Sequence, residues 1–146
     1  MLYPALLITH LLCAIAFIGV VFFEVFMLEG MRPHLGHDIM EAVETGLVRR
    51  ARQIMPYVVG LLFLSGIYLG YQHFSASGLS WNNSFSVLLS IKIALALSVL
   101  VHFISAMRAA GAGCMSSDRF RRTHISVFIH MVLIVILAKS MFYFAW

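Results

Sequence analysis

Charge is scarce in this chain of 146 residues: only 11% of the residues are charged, whereas 62% are hydrophobic. A soluble domain is about one quarter charged and about half apolar, so the composition excludes an ordinary soluble protein. The net charge of +4 would suit a nucleic-acid binder, but the arginines lie beside apolar stretches, where they orient membrane spans. We therefore exclude nucleic acid as a partner and expect an all-α integral membrane four-helix bundle in contact with lipid.

Cysteine is also nearly absent. Cys13 lies in the first apolar stretch and Cys114 in a later loop, which excludes a disulfide scaffold and a CxxC zinc site. Lysine and arginine are missing before Arg32, so the first stretch lacks the basic start of a cleavable signal peptide. We expect this stretch to be a retained membrane span.

Long apolar stretches are what the chain has in place of charge. A helix needs about 20 apolar residues to cross a bilayer. Four stretches meet this length and together predict a single transmembrane domain over residues 1–146: residues 2–28, 55–74, 85–107 and 123–144. We find no heptad array and no persuasive internal repeat among them.

The arginines predict the orientation of these spans. All of them lie within residues 32–52 and 108–122, whereas the loop over residues 72–86 has neither lysine nor arginine. Because basic loops stay in the cytoplasm, both chain termini are expected on the periplasmic side of a bacterial inner membrane. Asp38 followed by Glu41 predicts a helix that starts before the second span, and Ser116 or Ser117 predicts an early start for the fourth.

Four histidines fall inside the predicted spans. At 1.5 Å per residue, His10 and His73 reach similar heights in the outer half of the membrane, and His102 and His130 share a second level near the inner surface. Two facing neutral imidazoles are good axial ligands for heme iron. The pattern predicts metal ligation by all four histidines, with heme b at one or two levels. His34, His37 and His124 lie in loops or at boundaries.

Hydrogen bonding is the competing interpretation of these histidines. An imidazole in a span can bond to a carbonyl or hydroxyl group of a neighbouring helix, which removes the cost of burying a polar ring. Candidate partners include the hydroxyl groups of Thr9, Ser65, Ser105 and Ser126.

Two lysines and a glycine pair are the other unusual features of the spans. Lys92 and Lys139 lie in the outer halves of their helices, where no carboxylate is expected. Lys139 is close enough to the chain end to extend to the surface, whereas Lys92 could bind a heme propionate, a quinone oxygen or a porphyrin carboxylate. Gly66 and Gly70 form a GxxxG pair that lets a helix or a flat macrocycle approach closely.

The first span, from His10 to Gly19 and then Phe22-Phe23, resembles the opening helix of the copper-resistance D family. It is also similar to the related membrane-embedded, heme-dependent protoporphyrinogen oxidases. The basic stretch Arg49 to Arg52 and the lysine-bearing segment Ser90 to Ile93 are similar to parts of both groups. This resemblance implies a heme-associated four-helix membrane protein in which His10 and Lys92 are functional.

The fourth span departs from that resemblance. Where the oxidases have an asparagine-glutamate pair, this chain has Arg121 to His124 and then His130. The difference favours a cytochrome-like relative.

These patterns leave four functions open. The leading one is a b-type heme protein that carries electrons to or from an unknown redox partner. The second is a porphyrin or quinol oxidoreductase in which Lys92 holds the substrate. The third is copper handling by His10 and Cys13, one helical turn apart. The fourth is a structural membrane anchor with hydrogen-bonded histidines.

Overall fold

The computed structural model describes residues 2–77, 84–112 and 117–143, and these residues form helices and turns without any strand. The bounds of the α-helices are Leu2–Phe22 (α1), Glu29–Met31 (α2), His37–Ser77 (α3), Ser84–Gly111 (α4) and Ser117–Ser140 (α5). The chain divides into two compact units, Met1–Ala76 and Ser77–Trp146. Cys114 lies outside the described residues.

The helix ends agree with most of the capping signals. The helix α3 begins at His37, well before the apolar stretch, as Asp38 and Glu41 predict, and α5 begins at Ser117. The end of α5 differs from the predicted span, because the α-helix stops at Ser140. There the chain tightens into a turn in which the Tyr143 N–H donates to the Ser140 carbonyl, 3.0 Å away. Such shorter-range bonds are a usual ending of a helix.

The C-terminal end of the first helical segment is irregular. A π-helical stretch, Phe23–Leu28, follows α1, and a short 3₁₀ stretch, Arg32–His34, follows α2. In the π-helical stretch the Glu29 N–H donates to the carbonyl of Glu24, five residues earlier. This wider turn places Glu24 and Leu28 in the interior, where they are 4% and 0% exposed.

An ion-pair cluster ties this irregular segment to α3. The Arg32 guanidinium donates to both carboxylate oxygens of Glu29, at 3.1 and 2.8 Å, and its Nη2 also donates to Glu44 on α3. Glu44 is buried beside Met40, whereas the Arg32 side chain is one-third exposed. Pairing to the Arg32 guanidinium offsets part of the free-energy cost of burying the Glu44 carboxylate.

The second unit is an antiparallel pair of helices. Ser98 of α4 contacts His130 of α5, and His102 contacts Ser126, so residue numbers rise on one helix as they fall on the other. Val99, Val127 and Met131 are buried at this level. Burial of such aliphatic side chains favours the packing of α4 against α5.

All four long helical segments are long and apolar enough to cross a membrane, judged by length and composition. These segments are Leu2–His34, His37–Ser75, Ser84–Gly111 and Asp118–Ser140.

Candidate functional site

The structure brings His102 and His130 together between α4 and α5. Their ring centroids lie 5.5 Å apart and the ring planes meet at 49°. Residue counting predicted one level for these two side chains, and the structure places them at one level. Their role as metal ligands stays a prediction.

Each of these imidazoles is held by a carbonyl of its own helix. His102 Nδ1 lies 2.8 Å from the Ser98 carbonyl oxygen, and His130 Nδ1 lies 2.7 Å from the Ser126 carbonyl oxygen. A carbonyl oxygen can only accept, so Nδ1 must carry the hydrogen in both rings. In the neutral ring Nε2 is then left with a lone pair, which is the form of histidine that binds metals.

Serine hydroxyl groups of the opposite helix contact these Nε2 atoms. Ser98 Oγ lies 3.2 Å from His130 Nε2, and Ser126 Oγ lies 3.4 Å from His102 Nε2. Because each Nε2 has a lone pair, the hydroxyl groups donate. The two serines and two histidines therefore form a reciprocal set of four bonds, which we call the Ser-His ring.

The hydrogen-bonding interpretation predicted part of this ring. Ser126 was among the hydroxyl groups expected to reach a histidine, and Ser65 was another, and both contacts are confirmed. Ser98 was missed. The signal for it is a five-residue pattern, Ser-Val-x-x-His, which occurs at Ser98–His102 and again at Ser126–His130.

The first unit contains a separate histidine contact. His10 Nδ1 lies 2.9 Å from the Leu62 carbonyl oxygen of α3 and 3.2 Å from Ser65 Oγ. The ring also lies against Gly66, where an added Cβ would be 3.0 Å from His10 Cε1 and 3.3 Å from Nδ1. The first glycine of the GxxxG pair therefore accommodates an imidazole, whereas a Cβ on Gly70 would meet no atom within 4 Å.

Alanine substitutions at the two glycines should differ in their effect on stability. In Gly66→Ala the methyl group would lie 3.0 Å from Cε1 of His10, whose ring is held by contacts to Leu62 and Ser65. Overpacking of this kind costs about 1 to 3 kcal/mol, which exceeds the gain of about 0.5 to 1 kcal/mol from replacing a helical glycine. In Gly70→Ala the added methyl meets open space, and replacing a helical glycine is worth about 0.5 to 1 kcal/mol. Thermal unfolding in detergent should show a lower midpoint for Gly66→Ala and an equal or higher one for Gly70→Ala. Equal shifts in both variants would contradict the contact with His10.

His73 lies farther along α3 than the turn that His10 contacts. His10 contacts α3 at Leu62, Ser65 and Gly66, and His73 lies seven residues beyond Gly66, about 10 Å at the α-helical rise. The role of these two histidines as ligands of one metal stays a prediction. His73 is exposed. The count that gave them equal heights started at Leu28, but the first helical segment continues to His34 and so shifts the register.

Lys92 and Lys139 differ in their surroundings. Lys92 is partly buried, seven residues before the buried Val99, so it lies on the same face of α4. It is ten residues from His102, about 15 Å along the helix axis. Lys139 is exposed, as expected for a side chain that extends to the surface.

Among the described residues, no three His, Cys, Asp or Glu side chains group together as ligands for a metal ion. Cys13 is a partly buried free thiol on the same helix as His10.

When compared with models of known families, with curated proteins and with solved structures, the chain matches none of them.

Proposed function

We propose that this protein is a b-type heme-binding membrane protein that carries electrons, with His102 and His130 as the axial ligands of one heme. The observation that supports this most is the shared protonation pattern of the two rings. Both carry hydrogen on Nδ1, bonded to a carbonyl, and both direct an Nε2 lone pair away from their own backbone. Metal-bound histidines in proteins have this second hydrogen bond almost always.

The charge around the pair favours a heme over a bare metal ion. Within the second unit Asp118 is the sole acidic residue, and it lies twelve residues before His130, about 18 Å along the helix. A divalent ion between the rings would therefore have no carboxylate of α4 or α5 to neutralise it, and an uncompensated charge in such a site is costly. A porphyrin brings two negative charges of its own to the iron.

The two Nε2 atoms point in opposite directions in this structure. Ser98 lies beside Nδ1 of His102 and Nε2 of His130, and Ser126 lies beside the other two nitrogens, so the rings run antiparallel with centroids 5.5 Å apart. Holding one heme would require both rings to turn, α4 and α5 to separate, and the two serine hydroxyl groups to leave Nε2. A bound heme would supply reversible one-electron exchange at the iron.

The exposed surface of the helices supports a lipid environment. Large apolar side chains of α3 such as Tyr57, Leu64, Ile67 and Tyr71 are each about two-thirds to three-quarters exposed. We extend the proposal to a four-helix arrangement in a bacterial inner membrane, with both termini periplasmic. The resemblance to the copper-resistance D family and the heme-dependent oxidases is part of this proposal, and His10 is the candidate ligand of a second heme.

A structural membrane anchor is the second candidate function. The observation that favours it is that the described buried side chains have their polar atoms hydrogen-bonded. In an anchor the Ser-His ring would simply join two helices. This function predicts a colourless protein free of metal.

An absorption spectrum of protein purified from heme-replete cells tests the proposal. We expect a Soret band, and a sharpened visible band after reduction with dithionite. Metal analysis on the same sample should give iron, whereas copper without iron would select a copper site at His10 and Cys13. If a quinol or porphyrin reduces the heme and Lys92→Ala abolishes this reaction, the protein is an oxidoreductase. A sample without a Soret band would refute the heme proposal.

A further inference from the structure

The serines of the Ser-His ring use their hydroxyl groups differently from other serines in these helices. Ser90 Oγ donates to the Ser86 carbonyl four residues earlier. This is the usual bond of a serine inside a helix, and it stays within one helix. Ser98 and Ser126 instead contact a histidine of the other helix.

The atom that each hydroxyl reaches is the one that iron would need. An imidazole with hydrogen on Nδ1 has a single lone pair, on Nε2, and this lone pair can accept a hydroxyl hydrogen or bind a metal, but not both. Heme binding must therefore break the bond from Ser98 to His130 and the bond from Ser126 to His102. The displaced hydroxyl groups have acceptors available on their own helices, as Ser90 shows.

We propose that Ser98 and Ser126 regulate heme binding by occupying the two lone pairs that the iron needs. They satisfy Nε2 before the heme arrives, and they weaken heme binding because their bonds must first be broken. This inference rests on the proposed function for its cofactor, but the cross-helix bonds themselves do not depend on heme.

The repeated pattern makes the two serines equivalent. Ser98 and His102 correspond to Ser126 and His130 at a constant offset of 28 residues, and Val99 and Val127 correspond in the same way and are each 5% exposed. Two antiparallel helices that carry the same pattern at their contact are related by a local two-fold axis. Each serine should therefore contribute about equally to the affinity for heme.

Hemin titration of heme-free protein tests this role. We expect Ser98→Ala and Ser126→Ala each to bind hemin about threefold more tightly than the parent, the effect of one lost hydrogen bond, and the double variant about tenfold more tightly. Ser105→Ala is the matched control and should bind like the parent, because Ser105 is an exposed serine of α4 outside the ring. Ser98→Thr, which keeps the hydroxyl group, should retain the parent affinity.

Nitrogen-15 spectra of the histidines in heme-free protein give the second readout. Ser98→Ala should shift the Nε2 signal of His130 on the other helix and leave the Nε2 signal of His102 on its own helix, and Ser126→Ala should do the reverse. The regulatory role would be overturned if neither imidazole signal shifted, or if no alanine variant bound hemin more tightly than the parent. Either result would leave heme binding itself intact. Hemin binding to none of these proteins would overturn the proposed function as well.

Discussion

Replacing either histidine of the Ser-His ring should remove most of the heme that this pair holds. In His102→Ala or His130→Ala the iron loses one of its two protein ligands. Among the described residues, no third histidine, cysteine or acidic side chain is grouped with this pair to replace it. Changes to groups that merely support a ligand already cost about 10- to 100-fold in metal affinity, so loss of the ligand itself should cost at least about tenfold. The heme content per purified chain measures this directly.

The two histidine variants should behave alike, because the pair is related by the same repeat that relates Ser98 and Ser126. His37→Ala is the matched control: its side chain is 89% exposed and lies at the start of α3. The control should keep its full heme content. If His102→Ala or His130→Ala retains the parent amount of heme while its helicity by circular dichroism is unchanged, His102 and His130 are not the axial pair.

Removing the guanidinium of Arg32 should destabilise the fold substantially. In Arg32→Met the aliphatic length is kept, but Glu44, which is 8% exposed, loses a charged partner, and Glu29 loses two donated bonds. Breaking a fully buried ion pair costs about 3 to 5 kcal/mol. Because Arg32 is one-third exposed, water screens part of this loss, and we expect about 2 kcal/mol. Thermal unfolding in detergent should show a midpoint lower by roughly 6 °C.

Two further variants show whether the buried carboxylate causes this loss. Arg50→Met removes an exposed arginine that donates to Gln53, and it should change the free energy of unfolding by less than about 0.5 kcal/mol. Adding Glu44→Gln to Arg32→Met should recover part of the stability, because the neutral amide needs no cation. Equal losses in Arg32→Met and Arg50→Met would show that the ion-pair cluster does not stabilise the fold.

The helices were predictable because apolar length and capping residues act locally. The early starts of α3 and α5 follow from side chains within a few residues of each helix end. The π-helical stretch Phe23–Leu28 was not predictable, because no local signal in Phe-Glu-Val-Phe-Met-Leu distinguishes a five-residue from a four-residue hydrogen bond. That stretch belongs to the irregular end of the first helical segment, which also carries the Arg32 cluster.

The candidate site was predictable in part for a similar reason. His102 lies nine residues before the end of α4 at Gly111, and His130 lies thirteen residues after the start of α5 at Ser117. Because regular α-helix fills both distances, counting to equal depth accumulates little error. His10 and His73 lie far from their connection, and the irregular turns between Phe23 and His34 shift the register. Ser98 was not predictable, because a single small polar residue in a span is ordinary. Its contact with His130 depends on the packing of α5 against α4.

Electron paramagnetic resonance of the oxidised, purified protein tests the central proposal most directly. Two neutral imidazoles from His102 and His130 on one ferric iron should give a low-spin heme signal, because both axial positions are filled by strong nitrogen ligands. A high-spin ferric signal would mean that at most one histidine binds the iron. A copper signal, or no metal signal in a sample confirmed to be oxidised, would contradict heme ligation by this pair.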